Sequence, residues 1–283
     1  GPKTYLSAVL GNHYDDTMIE AYLQAGPRML EFFENNTEVH FNPGSGVPDF
    51  HGALPGAATG WRSVVAAPYD GRELGQLIGS LRPPIPETTF LGMGIASGVD
   101  MRMFLTALRS PPAFLHVTRR VLKHARDLAL HRRPMQLVNG NALIARLLRS
   151  AADAGVALRA GAPAQALIRE GGRVTGAILE TTAGPVRVAA RRGVILAAGG
   201  FPHDRGRLRD LLPHVQAGTP HESAAPDSNS GDGLRLAESV GGGISTTLAH
   251  AAAYAPVSLV PRPDGTVGRF PHLVERGKPG VIA

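Results

Sequence analysis

Gly193-Val-Ile-Leu-Ala-Ala-Gly-Gly200 ends an apolar run on a glycine pair, and thirty residues later stands Ser230-Gly-Asp-Gly-Leu-Arg-Leu-Ala-Glu-Ser-Val-Gly-Gly242. Four apolar residues in a row, Val194 to Ala197, predict a strand buried on both faces. Gly199 and Gly200 then allow the backbone to turn sharply beneath a ligand, although a glycine pair after a strand is also how an ordinary turn is written. In the second stretch Gly231 and Gly233 free the backbone, and Asp232 offers an acceptor at a helix start. Leu234, Ala237 and Val240 follow at helical spacing. Free amides at that helix start suit a polar ligand.

Upstream of the glycine pair the pattern is equally regular. Leu143, Ile144, Leu147, Leu148 and Ala151 share one face of a helix that Gly155 ends, and residues 156–159 read as a short strand. Three more strands follow, at 165–169, 174–180 and 186–189, parted by Gly171-Gly172 and Ala183-Gly184-Pro185. They form an antiparallel meander, after which 194–197 returns to the main sheet. The fold class is therefore α/β with α+β character.

The first third is less orderly. Ile19, Tyr22, Leu23, Met29, Leu30 and Phe33 recur at near-helical spacing around Gly26-Pro27, which predicts two helical pieces with a kink. Residues 37–111 are broken by prolines and read as loop-rich, the kind of long irregular stretch that is usually functional. Gly92-Met-Gly-Ile-Ala-Ser-Gly98 imitates a dinucleotide loop, but its third glycine is one residue late and no apolar strand precedes it. Residues 112–133 mix Leu115, Val121, Leu122, Leu128 and Leu130 with Arg119, Arg120, Lys123, Arg126, Arg132 and Arg133. They read more readily as a solvated basic face whose arginine stems cover the core than as a basic amphipathic helix lying on an anionic membrane surface. Residues 256–283 read as irregular chain.

Composition narrows the class. The chain has 283 residues, 43% hydrophobic and 18% charged, which is globular. Its net charge of +6 comes with only 5% aromatics and no nucleic-acid module, so nucleic acid is set aside. The absence of cysteine removes disulfides, thiolate catalysis and thiolate-ligated metals, and with no H-x-x-x-H spacing no metal is implied. No long apolar run or leader pattern is present, and a cytoplasmic location is expected.

The glycine motifs, the intervening Gly200-Phe-Pro-His203, and Ala25-Gly-Pro-Arg-Met-Leu-Glu-Phe-Phe-Glu34 together resemble the flavoprotein family of fumarate reductases, succinate dehydrogenase flavoprotein subunits and 3-ketosteroid dehydrogenases. The ketosteroid dehydrogenases are nearest in look. The resemblance implies the later half of a two-dinucleotide-binding flavoprotein domain, with FAD held near Ala164, Ala198, Gly199, Gly200, Gly231, Asp232 and Gly233. It divides the chain into a helical and loop-rich part (3–135), the remainder of the FAD-binding domain (136–250) and the start of a substrate domain (251–283). It further implies an internal fragment that lacks the family's N-terminal G-x-G-x-x-G unit and C-terminal catalytic part, with FAD binding weak or absent in the fragment itself and self-association through exposed edges. Pro48-Asp-Phe-His51 resembles the family's P-D-Y-H, whose aromatic lies near the active site. Phe50 has no hydroxyl to donate, so any role needing one is lost there. The implied activity is hydride transfer between flavin and a carbon beside an activated carbonyl, on a ketosteroid-like or fumarate/succinate-like small molecule. The alternative is a non-catalytic nucleotide- or partner-binding domain that retains the fold.

Overall fold

The computed structural model describes residues 1–245 and 251–272. The chain divides into two compact units, residues 1–158 and residues 159–272.

The first unit opens with helix α1 (Pro2–Leu10) and helix α2 (Asp16–Asn36), the latter capped by the Asp15 carboxylate, which accepts from the Met18 amide at 3.0 Å. Contrary to the sequence expectation of two pieces, α2 runs through Pro27 as one element. Proline crowds the residue before it through that residue's Cβ, and Gly26 has none. Short antiparallel ladders follow. Strand β1 (Phe41–Pro43) pairs with β2 (Val64–Ala66), and β3 (Tyr69–Asp70) reaches forward to residues 136–137. Strand β4 (Thr89–Phe90) turns into β5 (Met93–Gly94) through Leu91 and Gly92, both at positive φ (53° and 80°), as a tight hairpin requires. The glycine-rich 92–98 segment is thus a hairpin arm and the cap of helix α3 (Val99–Leu105), where Gly98 is the N-cap. Helix α4 (Pro111–His131), strand β6 (Gln136–Leu137) and helix α5 (Asn139–Asp153) complete the unit.

Its core gathers Tyr69, Leu74, Leu81, Leu137, Ala142 and Ala145. The face of α5 that enters it is rotated from the expected one: Ala142, Ala145 and Arg146 are buried, whereas Ile144 is exposed. Small alanines let α5 approach closely. Arg146 is satisfied by the carbonyls of Glu38 (2.6 Å), Pro68 (2.8 Å) and Ala67 (3.1 Å) while its guanidinium stacks over Tyr69. A buried cation is tolerable only with such partners. The helix ends as expected at Gly155, which takes φ 72°.

The second unit contains the expected meander, β7 (Ala164–Glu170), β8 (Arg173–Thr181) and β9 (Gly184–Ala189), in sheet order β7-β8-β9. A Cβ on Gly176 would stand 2.2 Å from the Val188 carbonyl oxygen, so β9 can lie where it does only beside a glycine. Helices α6 (Arg205–Leu211), α7 (Pro213–Gln216) and α8 (Asp232–Ser239) follow, and then the antiparallel hairpin of β10 (Val257–Pro261) and β11 (Val267–Pro271). That hairpin corrects the reading of 256–272 as irregular; residues 273–283 lie outside the described residues.

Two expected strands do not form. Residues 156–159 and 194–197 pair with no strand among the described residues, and Ile195 is 92% exposed. An apolar run becomes a strand only when a neighbour accepts its hydrogen bonds, and the Val156 amide instead donates back to the Ala151 carbonyl of α5 at 2.9 Å.

Candidate functional site

The two glycine motifs meet in the second unit. The amide of Gly231 donates to the carbonyl of Gly200 at 3.2 Å, and that of His203 donates to the carbonyl of Asn229 at 3.2 Å. The turn after the apolar run is therefore stitched to the segment that starts α8. Gly199 takes φ 77°, and a Cβ there would lie 2.7–2.9 Å from the Asn229 side chain. Gly231, the N-cap of α8, takes φ 79°, where a Cβ would approach the Asp204 carboxylate at 2.9 Å. Gly233 faces Ala198, whose Cβ is 3.4 Å from the position a Cβ of Gly233 would take. Helix α8 in turn lies against β7, the strand that begins at Ala164. The structure thus collects Ala164, Ala198, Gly199, Gly200, Gly231, Asp232 and Gly233 within one unit.

Gly200 differs from its neighbours. A Cβ there would meet only Pro202 Cδ, at 3.7 Å, so nothing inside the protein requires glycine at that position. Among the described residues no acceptor meets the amides of Ala198, Gly199 or Gly200, and residues 198–200 are exposed. Bare backbone with free donors on an open surface suits the close approach of an anionic or carbonyl-rich ligand.

Asp232 is not the capping residue. The cap is Gly231, and the Asp232 carboxylate is instead taken by Arg235, one turn on, and by the Ser230 hydroxyl at 3.1 Å. Once Gly231 adopts the left-handed conformation, Asp232 becomes the first helical residue and cannot fold back on the helix amides. Arg235 also donates to the Ser230 carbonyl (2.6 Å) and to Asp204 (3.0 Å). Asp204 caps α6 by accepting from the Arg207 amide at 3.2 Å, and Arg207 pairs with Glu238 of α8, holding that carboxyl below the usual range. Asn229 and Asp204, the residues that brace the two motifs, escaped the sequence reading. Asp204 had a local signal, a carboxylate three residues before Arg207 at the start of a helix; Asn229 had none.

Phe50 belongs to the first unit and is exposed, at the start of the turn of residues 50–53. Asp49 fixes that turn by accepting from the Ala58 amide (2.8 Å) and from Arg62 (2.7 Å), and the amide of His51 donates to the Tyr5 hydroxyl at 3.2 Å. The first unit also holds a cleft of about 440 Å³ walled by Pro83, Pro84, Pro134, Leu137 and Val138, with Arg132 and Asn141 among its polar groups. None of the residues expected from sequence lines it.

Residues 2–283 match the family model described as an FAD binding domain. The chain is 34% identical to the 4-oxocyclohex-2-ene-1-carboxylate 5-dehydrogenase of Sinomonas cyclohexanicum, over 99% of this chain and 48% of that protein. It is 31% identical to the 3-oxosteroid 1-dehydrogenase of Mycobacterium tuberculosis (strain ATCC 25618 / H37Rv), again over 99% of this chain and 48% of the relative. In fold it is similar to the crystal structure of a 3-ketosteroid delta1-dehydrogenase from Sterolibacterium denitrificans in complex with 1,4-androstadiene-3,17-dione, with a TM-score of 0.78 and 27% identity over 95% of this chain and 48% of that one. The chain spans about half the length of the relatives it matches. With both glycine motifs docked and the match running from residue 2 to residue 283, the chain belongs to the FAD-binding-domain family, and its cofactor is FAD.

Proposed function

We propose that the chain is the FAD-holding part of a dehydrogenase that moves hydride between the flavin and a carbon beside the carbonyl of a cyclic ketone, either ketosteroid-like or a smaller oxo acid. The observation that carries this reading is the open backbone at residues 198–200 docked on the start of α8, in a chain whose relatives are named as dehydrogenases of such ketones. The ring system of bound FAD supplies the hydride acceptor. The residues of this chain do the holding. The free amides of Ala198, Gly199 and Gly200 would donate to cofactor oxygens, Gly200 would leave room for close approach, and Gly231, Asp232 and Gly233 would present the first turn of α8. Ala164, at the start of β7, would lie toward the adenine end.

The two-dinucleotide-binding architecture, the segments 3–135, 136–250 and 251–283, and a cytoplasmic location belong to the same proposal. Phe50 has no proton to give, so no acid or base role falls to it in this reading. The test is dye-linked turnover by the FAD-loaded full-length protein, offered a 3-oxosteroid and an oxocyclohexane carboxylate side by side. Oxidation of either ring supports the proposal and identifies the substrate branch. Retained FAD with no turnover of either would overturn it in favour of a non-catalytic nucleotide-binding role.

A further inference from the structure

Helix α4 is turned inside out. Arg120, His124 and Asp127 face inward at 9%, 6% and 1% exposure. Each has its partner: Arg120 donates to Asp100 (2.6 Å) and to the Gly94 carbonyl (3.0 Å), His124 Nε2 meets the Leu91 carbonyl (2.9 Å), and Asp127 is paired with Arg72. Ala113 is buried and Val117 and Val121 are half-buried, but the larger apolar residues stand outside. Phe114, Leu115, Leu122 and Leu130 are 58%, 49%, 65% and 66% exposed. Leu115 and Leu122 are seven residues apart, two turns, so they stand in one line along the helix. Just before α4, Leu105 and Leu108 are 77% and 94% exposed.

The charges on this face are of one sign. Between residues 99 and 133 the acidic residues are Asp100 and Asp127. Asp100 is bound by Arg120 and by His116 (2.6 Å), and Asp127 by Arg72, so neither contributes a free negative charge outside. Arg102, Arg109, Arg119, Lys123 and Arg126 are all exposed. Arg119 and Arg126 follow Leu115 and Leu122 by four residues each, which sets a cation beside each leucine.

We propose that this face of α4 docks on an anionic lipid surface, with the leucines and Phe114 entering the boundary between headgroups and acyl chains while the arginines and Lys123 meet lipid phosphates. Interfacial helices combine large apolar residues with lysines and arginines, and here Arg119 and Arg126 share the line of Leu115 and Leu122, their long stems able to carry the charge outward to the headgroups. A second copy of the chain is a poor occupant, because two such faces would bring their cations together, and the net charge of +6 adds to that repulsion. A helical partner is a poor one too, since Arg119 and Arg126 interrupt the seam that a coiled coil needs to be continuous.

The test is sedimentation of the purified chain with vesicles of phosphatidylcholine alone and of phosphatidylcholine mixed with phosphatidylserine. Binding is expected to the mixed vesicles and to disappear at about 1 M salt, where the screening length is roughly 3 Å. Arg119→Gln and Arg126→Gln should each weaken it about fivefold. Leu122→Glu should abolish it with the circular dichroism spectrum unchanged, because the side chain it replaces is already in solvent. No binding to the mixed vesicles, equal binding to both kinds, or full binding by Leu122→Glu would each overturn the proposal. So would a concentration-dependent dimer that Leu122→Glu dissociates, which would assign the face to a second copy.

Discussion

Gly199 and Gly200 are adjacent and chemically identical, yet the structure gives them different work. Gly199 is needed by the fold: φ 77° and the Asn229 side chain within 3 Å of a would-be Cβ make Gly199→Ala destabilising by about 1–3 kcal/mol. Gly200 is not needed by the fold, so Gly200→Val should leave the melting temperature of the FAD-free protein nearly unchanged while weakening FAD by at least about tenfold. Calorimetric melting and fluorescence titration of the two variants in the full-length protein separate these effects, and wild-type affinity in Gly200→Val would make Gly200 a turn residue only. Asp232 stands between them. Its pairing with Arg235 joins side chains that are about half exposed, so Asp232→Ala should cost no more than about 1 kcal/mol. FAD should nonetheless be lost, because Arg235, released from Asp232, no longer ties the Ser230 carbonyl and Asp204 into one brace. Full FAD occupancy in that variant would leave the carboxylate a local surface partner.

At the scale of elements, the charges that join α3 to α4 carry the next prediction. Asp100 is pushed upward by burial, but hydrogen bonds from His116 and from the Ala96 amide, together with the Arg120 guanidinium, outweigh that and hold its carboxyl below the ordinary value. A depressed folded-state value means stability that is present above the unfolded aspartate value of about 4 and lost as the pH falls through the lower folded one. Chemical denaturation between neutral pH and pH of about 3 should show that loss, and Asp100→Asn should flatten it. Asp127→Ala should cost about 1.5–3 kcal/mol, since Arg72 loses one charge-assisted bond but keeps its pairing with Asp70 at 2.8 Å. These charges also explain where the sequence misled. The meander was legible because each strand pairs with its sequence neighbour across a glycine turn, so the local pattern contains the whole interaction. Helix α4 was legible as a helix but not in its orientation: the partners of Arg120, His124 and Asp127 are Asp100, Leu91 and Arg72, up to 55 residues away. The face of α5 was misread for a related reason, because Arg146 is drawn in by carbonyls at residues 38, 67 and 68 that no helical periodicity records. In the candidate site the glycines could be read and the braces Asn229 and Asp204 could not, since both act through contacts made only after the chain folds.

At the scale of the molecule, what the second unit offers FAD is partial. The strongest part of dinucleotide recognition is a diphosphate on a glycine-rich helix start, where several charge-assisted hydrogen bonds contribute roughly 1.5–3 kcal/mol each. The glycine-rich segment at 92–98 cannot take that part, being a hairpin arm followed by a helix cap, and in the reading proposed above the amides of residues 198–200 with the first turn of α8 would cover only one stretch of an extended cofactor. Forfeiting two or three such bonds weakens binding by orders of magnitude. The 283-residue chain purified by itself is therefore expected to be colourless and without dehydrogenase activity, although its family binds FAD. The apolar run 194–197, with Ile195 at 92% exposure and no ladder partner among the described residues, has backbone donors and acceptors for a neighbouring strand. A second copy can supply that neighbour, so the mass in solution should rise with concentration, and Ile195→Lys should hold it at the monomer while Leu122→Glu on α4 should not. Titration of FAD against the isolated chain, with light scattering on the same samples, measures both quantities. Tight stoichiometric uptake by a monomer would show that the phosphates are met from within these residues, and that the run at 194–197 finds its partner when the cofactor arrives.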